Sequence, residues 1–434
     1  MGSEMCIRDR YKIRERGYEL VTEPGLSDIA VVNTCGFIQS AKEEAIETIL
    51  ELGKLKEEGT IKKIIITGCL SERYRQEAAE LFPEADAVIG IGNQEDIIDV
   101  IDHVLANERV VSFEKKEKLP VTGGRIISTL SFFAYLKIAE GCDNCCSYCA
   151  IPKIRGRFRS VPMEDVIKEA EWLAENGVTE LIVIAQDTTR YGEDLYGASK
   201  LPELLEMLCG INGFKWIRVL YCYPERITDK LLDVIAKQPK IVKYLDIPIQ
   251  HCSGEVLKNM NRCGDQAQLK ALITKIRDKV PKIVLRTTLI TGFPGETEEQ
   301  FNELAEFVKI IEFDRLGCFP YSQEDGTVAG KMDNQVDDDI KAHRADIIME
   351  QQQLIHRRKN EACMGKTFEA VVEGFDKWAE CYFGRTESDA PDIDGKVFFA
   401  GTDKLRVGQY VNIRITDTLD YDLIGEVITD ESAE

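Results

Sequence analysis

The segment Glu140-Gly-Cys-Asp-Asn-Cys-Cys-Ser-Tyr-Cys149 decides how this chain folds and what it holds. It directly follows the apolar run Tyr135–Ala139, which predicts a β-strand. Cys142, Cys146 and Cys149 have the spacing C-x3-C-x2-C. Three thiolates in one loop can hold three irons of a cubane and leave the fourth iron open. The spacing therefore predicts a [4Fe–4S] cluster at the end of a strand.

An open iron implies a particular chemistry. The amino and carboxylate groups of S-adenosylmethionine (SAM) can chelate that iron, and electron transfer into the sulfonium then yields a carbon radical that removes an inert hydrogen. Tyr148 stands just before the last cysteine, as it does in the motif of such radical enzymes. We therefore predict that Tyr148 lies beside the cofactor.

The alternatives for this loop are a zinc knuckle and a cluster of inert buried thiols. Zinc takes four ligands, with paired C-x2-C spacing, and no second pair follows nearby. Cys145 offers other spacings, but only Cys142, Cys146 and Cys149 give the radical-enzyme pattern. The other cysteines lack ligand spacing and are interpreted as small apolar residues: Cys209, Cys222, Cys252, Cys263, Cys318, Cys363 and Cys381.

Six apolar runs with helical patterns between them predict a (β/α)6 partial TIM barrel over residues 128–362, within a chain of α/β class. The runs are Tyr135–Ala139, Glu180–Ala185, Trp216–Tyr221, Lys243–Pro248, Val284–Ile290 and Arg315–Tyr321. A charged helix, Asp337–Ala362, is expected to close this segment, with its first acidic residues near the positive end of the helix dipole.

Residues 1–107 predict a separate N-terminal domain, because strand and helix patterns alternate as in parallel βαβ units. The strands are Ile29–Asn33, Lys63–Thr67 and Ala87–Gly90, the helices are Ala41–Glu58, Glu72–Leu81 and Gln94–Leu105, and the polar stretch Asn107–Gly124 is predicted to be a linker.

Residues 366–432 predict a small all-β barrel of five strands: Phe368–Val372, Tyr382–Arg385, Lys396–Phe399, Tyr410–Ile415 and Asp422–Ile428. This part is acidic, with sixteen Asp and Glu against seven Lys and Arg from Lys366 to Glu434.

The net charge of the 434-residue chain is −21. Nucleic-acid binding draws on Lys and Arg, so such a chain is a poor candidate for binding naked RNA and a better one for a basic partner. No run of eighteen apolar residues predicts a membrane span, and the charged first residues lack a signal core. Fourteen cysteines in such a chain indicate working thiolates rather than disulfides. These features predict a cytoplasmic protein with no membrane partner.

Cys35 and Cys69 each end a predicted strand of the N-terminal domain and lie one βαβ unit apart. Ligands of open α/β sheets bind at the carboxyl ends of the strands, and each cysteine has a neighbouring glycine that permits close approach. From spacing alone, a second iron–sulfur site and a pair of small buried residues are equally acceptable.

Together these motifs resemble the methylthiotransferase family of radical SAM enzymes over nearly the whole chain. The segments Asn33-Thr-Cys-Gly-Phe37 and Thr67-Gly-Cys-Leu70 match two of the three N-terminal ligand motifs of that family. The resemblance implies an N-terminal domain with a second [4Fe–4S] cluster held partly by Cys35 and Cys69, a radical SAM partial barrel, and a C-terminal TRAM barrel.

Several segments resemble the branch of the family that modifies a ribosomal protein. They are Ala185–Gly192, Tyr221–Pro224, Asp246–His251, Tyr321–Thr327, Arg385 and Asp389–Pro391. The implied substrate is the β-carbon of an aspartate in small-subunit ribosomal protein S-twelve, free or on the ribosome, with flavodoxin or ferredoxin as electron donor. A tRNA adenosine methylthiotransferase is the alternative, disfavoured by the acidic C-terminal barrel. A non-catalytic iron–sulfur factor that binds the ribosome is a third possibility.

No catalytic residue beyond the cluster ligands is expected, because the radical itself breaks the C–H bond. Gln186, Arg286 and Thr288 stand on or just after predicted barrel strands, so they are candidates for SAM contacts at the barrel mouth. The alternative for each is core packing. His251 is more simply a hydrogen-bonded residue, and Gly292–Glu296 predicts a tight turn.

The chain departs from the family pattern at its beginning. The third N-terminal ligand of the family falls at or before residue 1 here, and Cys6 is the only cysteine upstream of Cys35. Residues 1–10 look foreign to the family, whose recognisable sequence begins near Arg14. We therefore expect one strand and one thiolate of the N-terminal site to be missing, with SAM cleavage retained and methylthiolation in doubt.

Overall fold

The structure is a computed structural model that describes residues 2–401 and 404–428, with the backbone alone for residues 2–6 and 94. Contacts group the chain into two units. The first contains residues 1–128, 139–161 and 322–331, and the second contains residues 129–138, 162–321 and 332–434. The cysteine-rich loop therefore belongs to the same unit as the N-terminal sheet.

The N-terminal sheet has four strands: β1 (Ile29–Thr34), β2 (Lys63–Gly68), β3 (Ala87–Ile89) and β4 (Val110–Ser112). They pair in parallel in the order β1-β2-β3-β4. The helices around them are α1 (Gly2–Glu15), α2 (Gln39–Glu57), α3 (Cys69–Tyr74), α4 (Gln76–Leu81) and α5 (Ile97–Leu105). The predicted parallel βαβ arrangement is confirmed.

The central strand β2 is buried on both faces, as is typical of parallel sheets. Ile64 and Ile66 pack in one core cluster with Ile49 of α2, whereas Ile65 packs on the opposite face with Ile101 of α5. Because both faces of β2 are buried, Ile64, Ile65 and Ile66 are all apolar instead of alternating with polar residues.

Three local predictions in this region were wrong. Residues 107–124 are not only a linker, because β4 pairs with β3; its three residues are too short a run to show a strand period. The predicted helix over 72–81 breaks at Arg75, which has a φ of 44°. The last helix begins at Ile97, after a 3-10 turn over Ile91–Asp96.

The next segment contains eight strands and nine helices among its described residues. The strands are β5 (Phe133–Lys137), β6 (Ala139–Glu140), β7 (Arg159–Ser160), β8 (Glu180–Ile184), β9 (Trp216–Val219), β10 (Ile241–Asp246), β11 (Val284–Thr291) and β12 (Arg315–Pro320). The helices are α6 (Ile151–Arg155), α7 (Met163–Glu175), α8 (Glu193–Tyr196), α9 (Leu201–Gly210), α10 (Asp229–Lys237), α11 (Gly254–Asn259), α12 (Gln266–Lys279), α13 (Glu298–Ile311) and α14 (Asp338–Glu361).

Six of these strands form one parallel sheet in the order β12-β11-β10-β9-β8-β5. All six coincide with the predicted apolar runs, so the (β/α)6 partial barrel is confirmed. The closing helix is confirmed as α14, and its N-cap Asp337 accepts a hydrogen bond from the backbone N–H of Asp339.

The C-terminal part forms a closed barrel of five strands, as predicted: β13 (Thr367–Asp376), β14 (Cys381–Thr386), β15 (Val397–Ala400), β16 (Tyr410–Leu419) and β17 (Asp422–Val427). Residues 429–432 of the predicted domain lie outside the described residues. The barrel core contains Val372, Phe399 and Ile413, all about fully buried.

A buried ion cluster, which we call the Glu180 cluster, joins the six-stranded sheet to the C-terminal barrel inside the second unit. Glu180 Oε1 accepts a hydrogen bond from Arg218 Nε at 3.1 Å, and Glu180 Oε2 accepts one from Arg385 Nη2 at 2.7 Å. Arg385 Nε also donates to Glu373 Oε1 at 2.6 Å. Burial acts to raise the pKa of Glu180, but the two guanidinium groups outweigh it and hold that pKa below its ordinary value.

No described helix combines the length and the apolar character that a membrane crossing requires.

Candidate active site

The cysteine-rich loop is closed at its base by the antiparallel pair β6 and β7. Inside the loop, the backbone N–H of Cys142 donates to the carbonyl oxygen of Gly156 at 3.2 Å. Gly141 has a φ of 78°, and a Cβ there would lie 2.1 Å from the carbonyl oxygen of Arg157. Only glycine fits both conditions, so this residue allows the loop to close directly before Cys142.

The four thiols of the loop differ in exposure. Cys142 and Cys146 are buried and Cys149 is half-buried, whereas Cys145 is exposed and has a φ of 52°. Burial raises the pKa of Cys149 to about 12, and the neighbouring thiols act in the same direction. A metal ion bound at Cys149 would deprotonate this thiol outright.

The geometry of the loop also bears on the zinc alternative. Among the residues whose side chains the structure describes (7–93, 95–401 and 404–428), no three His, Cys, Asp or Glu side chains form a group that could hold a metal ion. Zinc requires four ligands around one centre. A cubane needs one thiolate for each of three irons, and Cys142 and Cys146 lie near enough to Cys149 to act on its charge.

Cys35 and Cys69 follow two strands that pair in register up to the residues just before them. The Cys35 side chain is exposed and that of Cys69 is half-buried. The turn after Cys35 touches the first residues of α3, because a Cβ on Gly36 would lie 2.6 Å from the Cα of Leu70. The two cysteines are thus brought to one edge of the N-terminal sheet, where parallel sheets bind ligands. The Cys6 side chain lies outside the described residues.

One carboxylate, Glu324, links the elements that follow these two cysteines. Glu324 Oε2 accepts hydrogen bonds from Lys42 Nζ on α2 at 3.1 Å and from Arg73 Nη1 on α3 at 2.8 Å. All three side chains are less than a tenth exposed. Arg73 Nη1 also donates to the carbonyl oxygen of Gly36 at 2.7 Å. We call these three side chains the Glu324 cluster.

The segment 322–331 reaches the cysteine-rich loop as well. The backbone N–H of Ala329 donates to the carbonyl oxygen of Ser147 at 2.9 Å, and Lys153 Nζ donates to the carbonyl oxygen of Gly326. A single segment of the first unit therefore contacts both cysteine-bearing regions. Sequence reasoning missed this role, although Glu324 stands in the quoted segment Tyr321–Thr327.

The four predicted SAM contacts fall in different units. Tyr148 is in the cysteine-rich loop of the first unit, whereas Gln186, Arg286 and Thr288 belong to the second. Gln186 stands two residues after β8, and Thr288 lies within β11. All four side chains are partly exposed.

Arg286 has an ion-pair partner of its own. Its Nη1 donates to Asp246 Oδ1 at 2.9 Å, and its Nε lies 3.7 Å from Asp394 Oδ1 of the C-terminal barrel. Burial raises the pKa of Asp246, although Arg286 acts against that shift. The guanidinium group of Arg286 is thus already engaged by carboxylates of the chain.

Backbone strain marks the carboxyl ends of two barrel strands. Tyr221, two residues after β9, has a φ of 61°, and Gln250, four residues after β10, has a φ of 69°. Such angles cost free energy in residues with side chains and are frequent at active sites. In barrels of this type the carboxyl ends of the strands carry the chemistry. Both residues lie in segments quoted for the family resemblance, Tyr221–Pro224 and Asp246–His251, but the sequence did not indicate their backbone angles.

His251 is fully buried, and its Nδ1 accepts a hydrogen bond from the backbone N–H of Ser253 at 2.9 Å. Its Nε2 lies 3.5 Å from Glu296 Oε2. The turn over Gly292–Glu296 is closed by a bond from the Glu296 N–H to the carbonyl oxygen of Phe293 at 2.8 Å. Both predictions are confirmed. Of the cysteines predicted to be small apolar residues, Cys263 is exposed instead.

Three family models match the chain. The uncharacterized protein family UPF0004 matches residues 8–90, the Radical SAM superfamily matches residues 136–308, and the TRAM domain matches residues 364–428. The first match begins at residue 8, earlier than the predicted start of family sequence near Arg14. Ile7 and Ile13 of α1 are also buried, so this helix packs as part of the first unit.

Curated relatives match over nearly their full length. A "Ribosomal protein uS12 methylthiotransferase RimO" from Lachnoclostridium phytofermentans is 49% identical, with 95% of this chain and 94% of that protein covered. One of the same name from Clostridioides difficile is 47% identical, with 96% and 94% covered. Among solved structures, the radical S-adenosylmethionine methyltransferase TsrM from Kitasatospora setae matches with a TM-score of 0.52 at 12% identity. That match covers 68% of this chain and 61% of that one, and it supports the fold alone.

Proposed function

The chain belongs to the methylthiotransferase family of radical SAM enzymes, and from that membership we propose that it adds a methylthio group to the β-carbon of an aspartate in ribosomal protein uS12, the S-twelve protein of the small subunit. The observation that carries this proposal is the near full-length identity of 44–49% to relatives named for that activity. The chain also retains, in the cysteine-rich loop, the three thiols that the chemistry requires.

The cysteine-rich loop is the proposed site of SAM cleavage. Cys142, Cys146 and Cys149 would hold three irons of a [4Fe–4S] cluster and leave the fourth for SAM. When bound, this cluster and SAM together supply the 5′-deoxyadenosyl radical that removes a hydrogen from the aspartate β-carbon. Burial of Cys142 and Cys146 keeps water from their sulfur atoms, while the β6–β7 pair sets the spacing of the loop.

Four residues are proposed as SAM contacts: Tyr148, Gln186, Arg286 and Thr288. Arg286 is the weakest of them, because Asp246 and Asp394 already compensate its charge. Gln186 is uncharged, so no ion pair has to break before it can contact SAM. Its side-chain amide can donate a hydrogen bond to a carboxylate or accept one from an ammonium group.

Cys35 and Cys69 are proposed to hold the second iron–sulfur cluster, which would supply or carry the sulfur that is transferred. These two residues correspond to two of the three ligand motifs that the family uses in this domain.

The acidic C-terminal barrel is the proposed contact for the basic ribosomal protein. Sixteen acidic residues against seven basic ones attract a cationic partner and repel the phosphates of tRNA. We propose that the enzyme acts in the cytoplasm on uS12, free or on the ribosome, and that flavodoxin or ferredoxin supplies the electron.

The experiment that tests this function uses full-length protein reconstituted anaerobically with iron and sulfide. SAM, a chemical reductant and purified uS12 are added, with tRNA in place of uS12 in a parallel reaction, and 5′-deoxyadenosine and the masses of uS12 and of the tRNA nucleosides are measured. About four irons per chain with 5′-deoxyadenosine alone would indicate one working cluster, and about eight with a methylthio mass increase would indicate two. Unmodified uS12 with methylthiolated tRNA would contradict the proposed substrate.

Two neighbouring cysteines provide a matched pair of variants. Cys146→Ala should abolish 5′-deoxyadenosine formation, because it removes one of three cluster ligands. Cys145→Ala should leave most of the activity, because the Cys145 side chain is exposed. Equal losses in both variants would mean that the ligand set is wrong.

A further inference from the structure

Arg155 lies between the cysteine-rich loop and the N-terminal cysteine pair. It is the last residue of α6 and only 3% exposed. Its Nη1 lies 3.4 Å from Glu140 Oε2, at the base of the loop. Its Nη2 lies 3.3 Å from Cys69 Sγ. One guanidinium group thus contacts both cysteine-bearing regions of the first unit.

The guanidinium group of Arg155 is buried between two partners, the carboxylate of Glu140 and the sulfur of Cys69. A buried charge is costly unless it is compensated by partners. Glu140 supplies one negative charge, and the second half of the guanidinium group faces sulfur.

A purely structural ion pair would explain the contact with Glu140 but not the contact with Cys69. A protonated thiol is a weak hydrogen-bond acceptor, so it compensates a buried N–H poorly. A thiolate bound to iron accepts such a bond well, and hydrogen bonds to cluster sulfurs, together with local charge, set the reduction potential of iron–sulfur sites. The position of Nη2 therefore suits a sulfur that carries negative charge.

We propose that Arg155 is a positioning residue of the second iron–sulfur site, where it orients Cys69 and raises the reduction potential of the iron held by Cys35 and Cys69. Glu140 opposes that effect, because its carboxylate shares the same guanidinium group. This inference rests on the second site of the proposed function.

The test uses the full chain with Cys142→Ala, Cys146→Ala and Cys149→Ala, so that iron can be held only at the N-terminal site. The protein is reconstituted anaerobically with iron and sulfide, iron per chain is counted, and the reduction potential is measured by redox titration with EPR detection. The same background then receives Arg155→Gln, Arg155→Lys or Glu140→Gln. The matched control is Arg157→Gln, because Arg157 stands two residues further along the chain and its side chain is exposed.

Arg155→Gln should lower the ratio of reduced to oxidised cluster at a fixed potential about tenfold, which is about 59 mV for one electron. Arg155→Lys should restore at least half of that shift because it keeps the charge. Glu140→Gln should shift the potential in the opposite direction, and Arg157→Gln should not shift it. A loss of packing alone would not give opposite signs for Arg155 and Glu140.

Equal potentials in the parent and in Arg155→Gln would overturn the proposal, as would a parent that holds no iron at Cys35 and Cys69. If Arg155→Gln does not fold, the sign of the Glu140→Gln shift decides: a rise supports the proposal and no change or a fall overturns it. Methylthiolation of uS12 is not part of this measurement, so a failed substrate assignment leaves its outcome unaffected.

Discussion

The Glu180 cluster and the Glu324 cluster each contain a buried carboxylate that binds two cations, and in the first Arg385 also pairs with Glu373; the two clusters differ in the elements that they connect. Glu180 and Arg218 stand on strands β8 and β9, and Arg385 stands on β14, all already positioned by ladder hydrogen bonds. Glu324 connects α2, which begins four residues after Cys35, with α3, which begins at Cys69, and no strand ladder fixes either helix. Loss of the Glu180 cluster should therefore cost stability, whereas loss of the Glu324 cluster should displace Cys35 and Cys69, the proposed ligands of the second cluster.

The largest expected effect is that of Arg385→Ala, which leaves Glu180 and Glu373 buried with less compensation. We expect the free energy of unfolding to fall by about 3–5 kcal/mol, measured by urea denaturation of the apo-protein. The control is Arg414→Ala in the same barrel, whose pair with Glu426 is half exposed. That variant should lose about 0–1 kcal/mol. Similar losses in the two variants would erase the distinction between buried and exposed pairs.

Glu324→Gln is expected to have a smaller effect on stability but a specific local one. Loss of the charge weakens two charge-assisted hydrogen bonds, at a cost of about 1.5–3 kcal/mol. Amide hydrogen exchange should become faster over residues 36–42 and 69–75, while the barrel strands keep their protection. Glu47→Gln, an exposed carboxylate on α2, is the control. Uniformly faster exchange throughout the chain would argue against a local role.

Gly36→Ala tests the close approach of the two cysteine loops. The added Cβ would lie 2.6 Å from the Cα of Leu70, so the loops must separate, at a cost of about 1–3 kcal/mol. Iron bound at Cys35 and Cys69 should decrease, while the iron of the cysteine-rich loop is retained. Gly210→Ala meets no atom within 4 Å and should change neither quantity. Unchanged iron in Gly36→Ala would show that the loops tolerate separation.

The smallest expected effect is a pH dependence. The folded-state pKa of Glu180 is lowered, so its contribution to stability is complete above the unfolded value of about 4.3. It is lost as the pH falls through the lower folded-state value. The urea midpoint of the apo-protein should therefore fall from pH 5 to pH 3, and less steeply in Glu180→Gln. Parallel curves for the two proteins would assign the acid sensitivity to other carboxylates.

The strands of the six-stranded sheet were predictable because each overlaps an apolar run between helical patterns. The five strands of the C-terminal barrel were predictable because turn residues separate them. The strand β4 was not predictable, because three residues are too few to show the two-residue period of a strand. Arg75 interrupts the predicted helix because its φ is positive, and residue propensities for helix gave no indication of this. The thiols of the cysteine-rich loop were recognisable because their ligand spacing is short and local.

The sequence by itself determined the three-part α/β architecture, the ligand spacing of Cys142, Cys146 and Cys149, and the acidic character of the C-terminal barrel, since these depend on neighbouring residues or on composition. Only the tertiary structure decided that the cysteine-rich loop shares a unit with Cys35 and Cys69. It also decided that Arg155 contacts Cys69 and that Glu324 joins Lys42 and Arg73. The physical reason is that these contacts connect residues 86 to 282 positions apart, and such pairs are selected by packing and charge compensation in the folded chain.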